Sequence, residues 1–421
     1  MTYIKQNKLT LIDKLILLVL ILTPIFSFQE ALALIMLEQR GIIHTSNILS
    51  SIYLKGVKDV FFILIIFSSA FIIMQTLRID RGVSMFLAVI LFFILLPAYY
   101  YHDNILVFLS GIRWLMPFIL AAFLINQIDK KLLYKIATIL FYLFIIHLVM
   151  QIIQLFFSYG YFGLNAGGLS SRNPGIFYIP STAAAFAIIV LFFCQYYMKE
   201  KLKNKIFYLI PISIFLTASG TGIGIYVIFM LIYYLRNSFL PYLPILLISM
   251  ATLLFFLLDL LTGRSGLVEE SLGIRFEHFQ KALIGAHYLS QDFGYGTATA
   301  ELIMNKFIDQ CKVETQCLFD FDMIITHSWY ASSIVNLGLI NSILILIAIF
   351  TVFVILTRSQ DKEKLLFLTI YGMFALTTPI AESYPANLIF AVILAYYIKP
   401  KESNIEPVHT SNNIVSTIRV L

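Results

Sequence analysis

Charge is scarce in this sequence. Of its 421 residues only 12% are Asp, Glu, Lys or Arg, while 60% are hydrophobic, and the mean hydropathy is +0.89. A soluble domain carries about 25% charged residues, so the composition excludes an ordinary water-soluble globule. Long polar stretches are missing too, none exceeding the segment from Thr262 to His327. The basic, then apolar, N-terminus MTYIKQNKLT has no small-residue cleavage site before Gln29 and Glu30, which argues for a retained first helix over a removed signal peptide. The net charge of +6 is not gathered into one basic stripe, so nucleic acid is not the expected partner. SGTGIG, at Ser219–Gly224, lacks the lysine that a nucleotide phosphate loop needs.

What is present instead is a recurrence of apolar stretches near 20 residues long, each able to cross a hydrocarbon core about 30 Å thick. The pattern predicts an all-α polytopic membrane protein of about 12 transmembrane helices. The expected spans are Leu15–Phe28, Val60–Leu77, Val83–Tyr99, Ile105–Asn126, Ile136–Phe157, Ile176–Met198, Ile206–Ala218, Ile223–Leu235, Leu240–Leu261, Ile334–Leu356, Leu365–Pro379 and Ala386–Ile398. Residues 1–401 then form one integral membrane domain, with a large outer loop over 262–327 and a short disordered cytoplasmic tail over 402–421. With the N-terminus in the cytoplasm, alternation puts 19 of the 29 basic residues inside and 10 outside. Lys199–Lys205 (KEKLKNK) and Arg358–Lys364 (RSQDKEK) both fall inside, as the positive-inside rule asks. Both termini are therefore expected in the cytoplasm.

Cysteine is nearly absent, with three residues. Cys311 and Cys317 share the outer loop and are close enough to bridge in an oxidising compartment, with two unpaired thiols as the alternative. Cys194 lies in a helix and has no expected partner.

The outer face carries the candidate chemistry. Arg172, in GGLSSRNPGIFYIPSTAAAF, stands just before a helix start marked by Pro174 and Gly175. A guanidinium there suits a phosphate, which it grips with two parallel hydrogen bonds; the alternative is an arginine snorkelling to lipid headgroups. Arg113, in LSGIRWLMPF, lies about two turns into a helix, facing a wet interior or pairing with Asp103. In the large loop, Ile274, Phe276, Phe279, Ala282, Leu283 and Leu289 outline an amphipathic helix able to lie on the membrane, with Arg275 and His278 projecting to one side. DFGYGTA supplies Gly294, Tyr295 and Gly296, a turn where a ligand can approach the backbone. His327 marks the re-entry into the membrane, a place where histidine is more often structural than catalytic.

In combination these segments resemble the bacterial O-antigen polymerases and O-antigen ligases. Arg172, Gly175 and Pro180 resemble that family's arginine–glycine–proline pattern before a helix, and Arg275 with DFGYGTA resembles the core of its periplasmic loop. His327-Ser328 with Gly338 is similar to the ligases' histidine motif, although Asn341 departs from it. The family's Ser-Arg pair between central helices appears as TASGTG, where Ser219 is kept and Gly220 replaces the arginine. The resemblance implies an inner-membrane glycosyltransferase acting on undecaprenyl-pyrophosphate-linked oligosaccharide at a periplasmic site, with inversion at the anomeric carbon and a chain-length regulator as a possible partner.

The residues fit that chemistry without a cofactor. The outer face has no carboxylate pair at metal-ligand spacing except Asp320 and Asp322, which read more readily as a solvated turn. Arginines can hold a pyrophosphate without metal. Arg172 and Arg275 are the expected clamp, with Arg113 and Arg264 as auxiliaries; His327 is the candidate base for the acceptor hydroxyl. Polymerase is preferred to ligase. A lipid-linked oligosaccharide flippase or secondary transporter is the reading from another class, drawing on His147, Gln151 and Gln154 in one helix. The bland explanation of those three is interhelical hydrogen bonding.

Overall fold

The computed structural model describes residues 9–26, 50–76, 88–89, 91–92, 116–125, 127–156, 173–177, 180–234, 328–330, 333–334, 343–344, 347, 362–377 and 384–399. Every regular element among the described residues is an α-helix. The main ones are α1 (Leu11–Ile21), α2 (Ser50–Thr76), α3 (Lys130–Phe156), α4 (Pro180–Tyr197), α5 (Glu200–Thr217), α6 (Gly220–Tyr234), α7 (Lys362–Thr377) and α8 (Ala386–Ile398). Two of them, α3 and α4, are long and apolar enough to cross a membrane. At 27 residues α3 is about 40 Å long. The whole of the span expected at Leu240–Leu261, most of those expected at Val83–Tyr99 and Ile334–Leu356, the loop over 262–327 and the tail over 402–421 lie outside the described residues.

Helix ends follow their capping chemistry, which is why several helices reach beyond their apolar cores. Thr10 begins α1 with a reciprocal capping box: its hydroxyl accepts from Asp13 N at 3.1 Å, and Asp13 Oδ2 accepts from Thr10 N at 2.9 Å. Asp129 Oδ1 accepts from Leu132 N at 2.7 Å, so α3 starts at Lys130, six residues before its apolar run. In the other direction, α4 starts at Pro180 and not at Ile176, because Asn173–Phe177 are irregular and Gly175 has φ +65°. Between α5 and α6 the chain reverses in two residues. Ala218 takes the left-handed conformation at φ 46°, and the Ser219 hydroxyl accepts from Gly222 N at 3.2 Å to cap α6.

The helix α4 is the centre of the bundle, packed by α3, α5, α6, α7 and α8. Its first turns are small (Ser181, Thr182, Ala183, Ala184, Ala185 and Ala187), which lets neighbouring backbones come close. Gly222 of α6 uses that space: a Cβ there would overlap the Ala184 methyl.

Helices around α4 are apolar outwards as well as inwards. On α2, Val60, Ile63, Leu64, Phe67, Phe71 and Met74 are exposed, while Phe62, Ile65 and Ser69 are buried. On α3 the exposed stripe is Tyr142, Ile146, Val149, Ile152 and Phe156; on α5 it is Tyr208, Ile212 and Phe215. A helix hydrophobic around its whole circumference has no face suited to water.

Both ends of the bundle carry specific polar joints. At one, the Tyr197 phenol of α4 and the Tyr397 phenol of α8 both donate to Glu363 Oε1 of α7, the second at 2.7 Å. Lys364 lies 5.8 Å from the Tyr397 ring centroid, and Tyr134 of α3 meets Tyr197 edge to face. At the other, the Tyr384 phenol donates to the Val19 carbonyl and accepts from the Thr23 hydroxyl at 3.2 Å. Burial pushes that phenol well above the ordinary tyrosine range, which keeps it protonated as a donor.

Candidate functional site

The most concentrated polar chemistry among the described residues is buried where α3 faces the segment leading into α4. His147, Gln151 and Gln154 succeed one another by four and three residues, so they share one face of α3. All three are buried. A buried amide costs stability unless it is paired, and both glutamines are paired with backbone.

Gln154 clasps a single residue from both sides. Its Nε2 donates to the Gly175 carbonyl at 2.9 Å, and its Oε1 accepts from Gly175 N at 2.7 Å. Gln151 joins three elements. Its Nε2 donates to the carbonyls of Asn173 at 2.9 Å and of Ser213 at 3.2 Å, and its Oε1 accepts from the Ser213 hydroxyl at 2.7 Å. Asn173 N donates to the Leu216 carbonyl at 2.9 Å, which ties the same residue to the end of α5. The irregular stretch is therefore held at consecutive points by α3 and α5.

His147 completes the arrangement. Its Nδ1 accepts a long 3.4 Å bond from Ile176 N, so the proton of the neutral ring belongs on Nε2. That nitrogen and Asn173 Oδ1 are buried without hydrogen-bond partners among the described residues. Phe177 and Phe186 pack on the imidazole at 5.4 and 5.6 Å between centroids. Gly175 lies so close that a Cβ would collide with the ring, and its φ of +65° disfavours any L side chain.

Of the sequence-predicted site residues, Arg172, Arg275, His327, Arg113, Arg264, Gly294, Tyr295 and Gly296 all lie outside the described residues. So do Cys311 and Cys317, while Cys194 is a buried free thiol in α4. The structure does describe the residues immediately after two of the predicted motif positions. Asn173–Phe177 follow Arg172 and form the clasped segment. Ser328–Tyr330 follow His327: Ser328 Oγ donates to the Ala375 carbonyl of α7 at 3.3 Å, and Trp329 packs on Phe118 at 6.0 Å. Ser219, matched to the family's Ser-Arg pair, is the N-cap of α6.

No group of three or more His, Cys, Asp or Glu side chains converges among the described residues. The clasp itself has the chemistry of a mounting: it fixes backbone, and its side chains are neutral amides. No family model matches the chain, and no curated protein matches it in sequence.

Proposed function

We propose that the chain is a multi-pass inner-membrane glycosyltransferase that joins undecaprenyl-pyrophosphate-linked oligosaccharide repeat units on the periplasmic face, an O-antigen polymerase. The observation that carries this reading is the clasped segment Asn173–Phe177. An irregular stretch is built into an apolar bundle by hydrogen bonds to the N–H and C=O of both Asn173 and Gly175, and it directly follows Arg172. A bundle has no packing reason to keep non-helical backbone there, whereas a membrane enzyme that must present a guanidinium to a lipid pyrophosphate has one.

Membrane embedding is supported by the outward apolar stripes of α2, α3 and α5. The alternating topology is supported by the joints at helix ends. Thr23 pairs with Tyr384, and Asn173 with Leu216, both expected outside; Glu363 pairs with Tyr197 and Tyr397, all expected inside. The transporter reading loses the support it drew from Gln151 and Gln154, since their amides are engaged with backbone and Ser213.

In the proposed reaction Arg172 and Arg275 hold the donor pyrophosphate, and charge grows on it as the anomeric C–O bond breaks. His327 takes the proton of the acceptor hydroxyl as the new glycosidic bond forms. Arg113 and Arg264 assist the clamp. The surface glycan of a deletion strain tests the reading. Loss of the gene is expected to leave a single repeat unit on its anchor. Long chains stranded on the carrier lipid would make the protein a ligase instead, and unchanged surface polymer would reject both.

A further inference from the structure

We infer that Gln151 and Gln154 are positioning residues, whose task is to hold the backbone after Arg172 in one place so that the guanidinium is delivered to the pyrophosphate at a fixed distance. This deepens the polymerase reading and rests on it for the identity of the ligand, a diphosphate diester.

The argument starts from cost. Two glutamines in the apolar interior of a helix bundle are a liability unless each polar atom finds a partner, and leucine at both positions would pack α3 against α4 and α5 with less expense. Among the described residues the glutamines bond mainly to backbone, not to side chains of a neighbouring helix as simple helix adhesion would have it. Four of their five bonds described above go to main-chain atoms, and three of those four go to Asn173 and Gly175. Gln154 satisfies both the N–H and the C=O of Gly175, the pairing a neighbouring β-strand would otherwise give. With Asn173 N fixed to Leu216 of α5, the donor and acceptor of Asn173 are also both occupied. Four backbone groups within three residues are thereby tied to two helices. Arg172 is the residue next to Asn173 in the sequence, so what holds the Asn173 backbone bears directly on it. Displacing a charge-stabilising group by about 1 Å costs on the order of 10²-fold in rate, so a loose mount would cost more than a loose fold.

The test separates the mount from the chemistry. Asn173→Cys is placed in a chain whose three native cysteines are replaced; the Asn173 side-chain oxygen has no partner among the described residues, and the clasp bonds run to the Asn173 backbone. Labelling of the purified protein by N-ethylmaleimide is measured with and without Gln151→Met and Gln154→Met, which keep bulk and remove the hydrogen bonds. The expected result is slow labelling in the parent and roughly 10–100-fold faster labelling in the Met variants. Equal rates would overturn the clasp whatever the activity. In parallel, polymer synthesis from lipid-linked repeats is followed in native-cysteine protein. The Met variants are expected to lose about 10²-fold in kcat with KM little changed, and to add nothing further in an Arg172→Lys background. Fast labelling with full activity would overturn the positioning role. Fast labelling with Arg172→Lys fully active would reject the arginine clamp and the positioning role with it, and fast labelling with no polymer from the parental protein would reject the polymerase reading; either result leaves the clasp standing as architecture.

Discussion

Gly175 has two separate reasons to be glycine. Its φ of +65° costs an L side chain roughly 1–2 kcal/mol, and any Cβ meets the His147 ring and the His147 carbonyl. Gly175→Ala is therefore expected to destabilise the protein by more than that strain alone and to loosen the Gln154 clasp, read as a lowered unfolding temperature in detergent; an unchanged unfolding temperature would count against the geometry. The arginines lie at the same scale. Arg172→Lys and Arg275→Lys keep the charge but lose the planar two-pronged grip, so both are expected to synthesise polymer poorly at matched membrane levels. His327→Ala should lose roughly 10²–10⁴-fold, the usual worth of a general base. If both lysine variants work at the parental rate, the clamp is wrong; if His327→Ala alone is silent, only the base assignment falls. At this scale the sequence, through Pro174 and Gly175, marked a helix start a few residues early, α4 beginning at Pro180. It hid the purpose of Gln151 and Gln154, because a glutamine's partner 21 or 22 residues away leaves no local trace. Their shared face with His147 was the one available sign that they bond to a common target.

Among elements, α7 shows why apolar runs locate helices well and their ends poorly. The apolar core expected from Leu365 is correct, yet the helix begins at Lys362 and its first turn carries Glu363, which receives the phenols of α4 and α8. Charged first turns are invisible to a hydropathy reading although they lock three helices together. Glu363→Ala leaves the buried Tyr197 and Tyr397 hydroxyls without that acceptor, and hydrogen bonds to a charged group contribute about 1.5–3 kcal/mol each. Thermal unfolding of Glu363→Ala should show a loss of at least that order, and Glu363→Gln, which keeps an acceptor, should show less. Equal loss in both would place the effect in charge and not in the shared acceptor. The α4 helix is the one that five others touch, and its small residues are what let them approach.

For the whole molecule, composition carried the helical character of the fold. Apolar runs separated by short basic breaks imply helices, and helices are the only regular structure among the described residues. The proposed up-and-down order would put the Asn173–Leu216 and Tyr384–Thr23 joints at one face and the Glu363–Tyr197 joint at the other. That order makes a direct prediction. Reporter fusions at Lys401 and at Glu301 should signal opposite compartments, with Lys401 cytoplasmic; the same compartment for both would dismantle the proposed topology and the outer site with it.

The central claim is glycosyl transfer between lipid-linked repeats without a metal, and reconstitution tests it most directly. Purified protein in phospholipid vesicles is supplied with undecaprenyl-pyrophosphate-linked repeat units in the presence of a chelator, and products are resolved by length. The account predicts a ladder of polymer with release of undecaprenyl pyrophosphate, and its loss in Arg172→Lys. No extension beyond one unit, or extension only when a divalent cation is restored, would contradict it.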